Sequence, residues 1–134
     1  MPTDAQPMIL SNRMFLVGGI ITTMVVLFLA FDGVTKIIRI APVVEASEKL
    51  GLPPHTVLGI GMVLLACTVI YTIPQTAVLG AILLTGYLGG AAAIHVRAGS
   101  GAFPVALSIA FGVLAWVGLV LREPRLLRMI LLRQ

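Results

Sequence analysis

Charge is scarce in this 134-residue chain: charged side chains make up 10% of it, and only five are acidic. A soluble domain carries about 25% charged residues, so water is excluded as the main solvent of this one. Cysteine occurs once, as Cys67 between Ala66 and Thr68. That rules out an intrachain disulfide, and also paired-thiol redox chemistry unless a partner brings the second thiol; a small packing residue is expected. Histidine occurs twice, as His55 and His95, with no carboxylate at ligand spacing. No metal site follows from that pair, and bis-histidine haem ligation would require both rings to face each other inside a bundle. There is no Gly-rich phosphate loop, no GxSxG and no HExxH, which removes the commonest nucleotide-binding, hydrolase and zinc-protease arrangements. The residues call for no cofactor.

Apolar residues fill the space that charge leaves. They make up 59% of the chain, at a mean hydropathy of +1.10. Crossing roughly 30 Å of hydrocarbon takes about 20 apolar residues in a helix. Four stretches qualify, at residues 14–31, 57–73, 77–96 and 104–121, none containing Asp, Glu or Lys. Lipid offers the backbone no hydrogen-bond partners, so each stretch is expected to be helical whatever its content of Val, Ile and Thr. The expected fold is all-α, an integral membrane four-helix bundle in one domain. The net charge of +4 and pI near 10.0 come from nine basic residues placed at helix ends, in loops and in the tail. That placement fits lipid headgroups as partner; no basic-aromatic surface remains for nucleic acid.

In chain order, residues 1–13 form a disordered or interfacial leader ending at Arg13. No small-x-small cleavage site precedes Asp32, so the first apolar run is expected to be a retained helix and not a secretory signal. Asp32, Lys36 and Arg39 recur at spacings of four and three, which extends that helix beyond the hydrocarbon and lets Asp32 pair with Lys36. From Pro42 to Gly51, apolar residues on one side and Glu45, Glu48 and Lys49 on another predict a short amphipathic interfacial helix between helices one and two. Pro74-Gln75-Thr76 is short enough to force helices two and three to be antiparallel neighbours. Helix three then aligns Gly86, Gly90, Ala93 and Arg97 on one face, expected to pack within the bundle or to form a dimer contact. Trp116 stands near the end of helix four, where an indole is expected at headgroup level. Residues 122–134 read as a basic amphipathic tail on the membrane surface.

Four alternating helices leave Arg13, Arg122, Arg125, Arg128 and Arg133 on one side and Lys36, Arg39, Lys49 and Arg97 on the other. The denser cluster points to cytoplasmic termini. Helix count alone then gathers Asp32, Lys36, His55, His95 and Arg97 at the outer end. His95, with Ala91, Ala92 and Leu88 around it and Tyr87 two turns back, is the leading candidate for a polar site made of Asp32, Lys36, Tyr87, His95 and Arg97. Three readings stand. His95 and Arg97 merely end a helix and reach headgroups; or the site binds a quinone- or lipid-like molecule; or His95 acts as acid or base on a lipophilic substrate. Whether the chain is an enzyme stays open.

Phe31-Asp32-Gly33-Val34-Thr35-Lys36, the segment from Val44-Glu45-Ala46 to Leu50-Gly51, and above all the run from Pro74-Gln75-Thr76 through Thr85-Gly86-Tyr87-Leu88-Gly89-Gly90-Ala91 to His95-x-Arg97 resemble the DoxX-like family. The resemblance implies a small four-helix protein of the bacterial inner membrane with both termini in the cytoplasm. It marks Asp32, Lys36, Gln75, Thr85, His95 and Arg97 as family-like polar positions, with no catalytic assignment attached. The wider DoxX grouping includes a small subunit of thiosulfate:quinone oxidoreductase and members of redox or thiol-stress complexes. What the resemblance implies for function is therefore an accessory subunit of a membrane redox complex or a binder of a hydrophobic small molecule. A small intramembrane enzyme and a homo-oligomeric transporter component are the alternatives.

Overall fold

Helix α1 is longer than the first apolar run. In the computed structural model, which describes residues 5–132, it covers Ala5–Ile37 and is followed by α2 at Ala41–Lys49, α3 at Thr56–Thr72, a 3-10 turn at Pro74–Thr76, α4 at Ala77–Ala98, α5 at Ala102–Arg122 and α6 at Arg125–Leu131. Among the described residues every regular element is helical, and three helices are membrane-length and apolar: Leu10–Ile37, Pro74–Ala98 and Ala102–Arg122. The fourth apolar helix, Thr56–Thr72, is shorter.

Several expected boundaries move, for local reasons. The leader does not stay irregular up to residue 13, because α1 already runs from Ala5. Pro7 falls in its first turn, where a missing N–H leaves no helical bond unmade. Residues 1–4 of the leader and 133–134 of the tail lie outside the described residues. Pro104 plays the same part in α5, which starts at Ala102 behind Gly101. Arg39 does not continue the face of Asp32 and Lys36. It takes a positive φ of 55° after the helix has ended, and its guanidinium donates to Pro54 O at 3.3 Å. The chain reverses there, so α2 folds back over the bundle. At the far end of α2, Gly51 supplies the left-handed cap (φ 80°), and Leu52 N–H closes onto Ser47 O at 3.0 Å. Ser47 is buried, Val43, Val44 and Leu50 are half-buried, and Glu45, Glu48 and Lys49 are exposed.

α1 and α4 each pack against both α3 and α5. Small residues set these approaches. A Cβ on Gly61 of α3 would meet Gly33 O of α1 at 2.9 Å, and one on Gly18 of α1 would meet Gly118 O of α5 at 2.9 Å. A Cβ on Gly80 of α4 would run into the Tyr71 backbone of α3. Tyr71 is the largest fully buried side chain, and its hydroxyl donates across the bundle to Ala115 O of α5 at 2.7 Å.

The glycine face expected to pack is not the one that does. The buried residues of α4 are Ala77, Gly80, Ala81, Leu84, Leu88 and Ala92, whereas Gly86, Gly90, Ala93 and Arg97 are exposed. Nothing stands within 4 Å of a Cβ at Gly86, Gly89 or Gly90. The Gly-xxx-Gly spacing at 86 and 90 is real, but the competing stripe carries Leu84 and Leu88, whose larger dispersion contact fills the interior. Trp116 Nε1–H donates to Thr85 Oγ1 at 2.7 Å, about 12 Å along α4 from its start, and so ties α5 to α4.

Candidate functional site

At the end of the bundle opposite the Pro74–Thr76 turn, the helices do not close on one another. They leave a cavity of ≈ 540 Å³. Its walls are the last turns of α1, the first of α3, the second half of α4 and the first half of α5, and α2 with the chain after it forms the roof. The opening is a consequence of sequence. α4 contributes Gly86, Gly90 and Ala91 here, side chains too small to reach α1, while Phe28 of α1 and Phe111 of α5 stack at 4.1 Å between ring centroids and make one firm wall.

Four of the five candidate site residues line this cavity: Asp32, Lys36, Tyr87 and His95. Lys36 donates to Asp32 Oδ2 one turn before it, with side-chain exposures of 17% for the lysine and 37% for the aspartate. The order, acid before base by four residues, is the favourable one. In this setting the pair matters less for stability than for neutrality, since it leaves the cavity wall without net charge. His95 is half-buried, and its Nδ1 is fully shielded from solvent with no hydrogen-bond partner among the described residues.

Arg97 does not join them. It is exposed, and its guanidinium donates to Leu50 O at 3.3 Å, tying the end of α4 to the end of α2. Two residues along a helix turn a side chain by about 200°, so His95 and Arg97 cannot serve the same space. His55 is exposed in the turn before α3, and Gln75 is exposed at the opposite end of the bundle. Thr85 lies outside the cavity, donating to Ala81 O at 2.7 Å while accepting from Trp116. Among the described residues no three His, Cys, Asp or Glu side chains gather as a metal site.

The profile of the DoxX-like family matches residues 20–118. The chain belongs to the DoxX-like family. No curated protein and no solved structure gives a significant match to it. In this DoxX-like protein every residue that lines the cavity falls within the matched segment.

Two polar residues of the DoxX-like cavity were not anticipated, Ser47 of α2 and Ser108 of α5. Each hydroxyl donates back into its own helix, Ser47 to Val43 O at 2.8 Å and Ser108 to Pro104 O at 3.0 Å, so its oxygen is left to accept. Ser108 is the one hydroxyl in the apolar run of α5, a signal the sequence did carry. The roofing role of α2 had no such signal, since an amphipathic pattern states that one side is covered and not by what.

Proposed function

We propose that α1, α3, α4 and α5 are the four spans of a bacterial inner-membrane protein with both termini in the cytoplasm, and that its outer-end cavity binds a hydrophobic small molecule with a polar end. The reading is supported above all by the cavity: ≈ 540 Å³ lies within the roughly 300–1,000 Å³ of small-molecule sites, and mostly apolar walls with a few convergent polar groups are what such sites share. At 17 residues, α3 reaches about 25 Å, enough to cross with local thinning of the bilayer. The protein acts by binding, as an accessory that holds or presents its ligand to a membrane partner such as a redox complex.

The place of His95 in the cavity lining favours one second reading, in which its imidazole exchanges a proton with the bound molecule. Both readings meet one experiment. The protein is purified in mild detergent, its extract is compared by mass spectrometry with that of an unrelated membrane protein, and the wild type is set beside Ala91→Phe and His95→Gln. A stoichiometric lipophilic molecule, lost from Ala91→Phe at unchanged protein abundance, is expected. A wild-type extract no different from the control refutes binding; an unmodified ligand retained by both wild type and His95→Gln refutes the proton-transfer reading.

A further inference from the structure

A second hollow, of ≈ 390 Å³, lies on the other side of the α4–α5 seam, lined among others by Thr85, Gly89, Gly112 and Trp116. Leu88 and Ser108 line both this groove and the cavity, so the two spaces share a wall. That wall is thin. Gly89 and Gly90 put no side chain into it, and a Cβ on Gly112 would first touch Leu88 Cδ1, at 3.9 Å. Around the groove, Ile109 and Val113 are more than half exposed, which in a membrane-spanning helix means facing acyl chains.

The polar ends of the cavity also define what they can hold. Among the described residues its only formally charged side chains, Asp32 and Lys36, neutralise each other. Ser47 and Ser108 have spent their hydrogens on helix carbonyls, so with the carboxylate of Asp32 they offer acceptors, and His95 adds its imidazole to the lining. An ionised headgroup would enter with no counter-charge left for it; hydroxyl groups would find acceptors in place.

Building on the binding function proposed above, we infer that the ligand is an uncharged amphiphile with a hydroxyl-bearing head and one long apolar tail, the head in the cavity and the tail passing Leu88 into the α4–α5 groove. The chemical class is that of a monoacylglycerol or a long-chain alcohol. Leu88, 8% exposed, is the side chain that yields to let the tail pass.

The chain carries a reporter where the tail would lie. Trp116 is its sole tryptophan, it lines the groove, and its bond to Thr85 holds the indole there. Wild-type protein in maltoside micelles is titrated with 9,10-dibromostearoyl glycerol, whose bromines quench indole fluorescence, and in parallel with lysophosphatidylglycerol carrying the same brominated chain. Saturable quenching by the glycerol ester is expected at a concentration about tenfold or more below that of the charged lipid, reversed by unbrominated monoolein. Equal or unsaturable quenching by both refutes the inference, and this comparison needs no variant. Gly89→Leu, which fills the groove where no neighbour stands within 4 Å, and Ala91→Phe, which narrows the cavity, are each expected to weaken the glycerol ester by about tenfold. Unchanged quenching in Ala91→Phe would place the probe in the groove alone, as boundary lipid, and overturn the inference. If the ester fails while a co-purifying molecule is still lost from Ala91→Phe, the head and tail assigned here are wrong and the cavity's binding role stands; if nothing co-purifies, that role itself falls.

Discussion

Gly80 and Gly89 sit on the same helix nine residues apart, and alanine at each is expected to act in opposite directions. At Gly80 the new Cβ meets the Tyr71 backbone, which cannot rotate away as a side chain would. Restoring an ordinary contact of about 3.5–4 Å requires α3 and α4 to part by about 1–2 Å near the hairpin. Overpacking of this kind costs about 1–3 kcal/mol. The same displacement strains the hydrogen bond from Tyr71 to Ala115 O, now 2.7 Å, which adds about 1 kcal/mol. Alanine's helix propensity returns about 1 kcal/mol over glycine, leaving a net loss of about 1–3 kcal/mol. At Gly89 nothing lies within 4 Å of the new Cβ, so only the propensity gain remains, up to about 1 kcal/mol. Reversible unfolding of both variants and wild type by sodium dodecyl sulfate in mixed micelles, followed by helical circular dichroism, measures the difference, expected at about 2–4 kcal/mol. Equal effects at the two positions, or a larger loss at Gly89, would mean that α4 packs through its Gly86–Gly90 side and would refute the assignment of its buried face.

Three further outcomes follow from particular contacts. Lys36→Met leaves Asp32 without its partner; because Asp32 keeps 37% exposure, the loss is expected to be about 1–2 kcal/mol and not the full cost of a buried orphan charge, and adding Asp32→Asn should recover most of it in the same unfolding assay. Arg97→Ala removes the donor to Leu50 O; amide exchange at Gly51 and Leu52 should accelerate while bundle stability moves by less than about 0.5 kcal/mol, and unchanged exchange would show that the contact does not hold α2. Ser100→Cys in a Cys67→Ala background should react with a membrane-impermeant thiol reagent in intact spheroplasts, placing the α4–α5 loop outside; labelling only after lysis would invert the topology.

Much of this architecture could be read from composition and spacing, and the reasons are local. The apolar runs at residues 57–73 and 77–96 become α3 and α4 nearly end to end, because in lipid a helix is the one open-chain way to satisfy the backbone. Pro74-Gln75-Thr76 leaves room for nothing but a tight reversal. The pairing of Lys36 with Asp32 follows from helical spacing alone. The first helix was underestimated because Pro7, Ser11, Asn12 and Arg13 look like leader residues, yet none is incompatible with a first helical turn or a helix surface. The separation of His95 from Arg97 is also legible in principle from the 100° turn per residue, although both residues stand at the same helix end.

What stayed hidden depends on contacts between segments far apart in the chain. Gly86 and Gly90 have the spacing of a packing motif, and Gly80 has no such partner, yet Gly80 meets Tyr71 while the other two border the open cavity with no neighbour within 4 Å. Spacing along one helix names its faces without saying which the neighbours choose. That choice rests on summed close packing across four helices, where Leu84, Leu88 and Tyr71 outweigh a pair of glycines. The sequence by itself thus determined a membrane-embedded helical chain, the antiparallel neighbours α3 and α4, and a polar end holding Asp32, Lys36, Tyr87, His95 and Arg97, because hydrophobicity and helical period act within a segment. Only the tertiary structure decided that α2 roofs a cavity at that end, that Arg97 stands outside it, and that a glycine-thin seam separates it from the α4–α5 groove, because each of these depends on how separate helices meet.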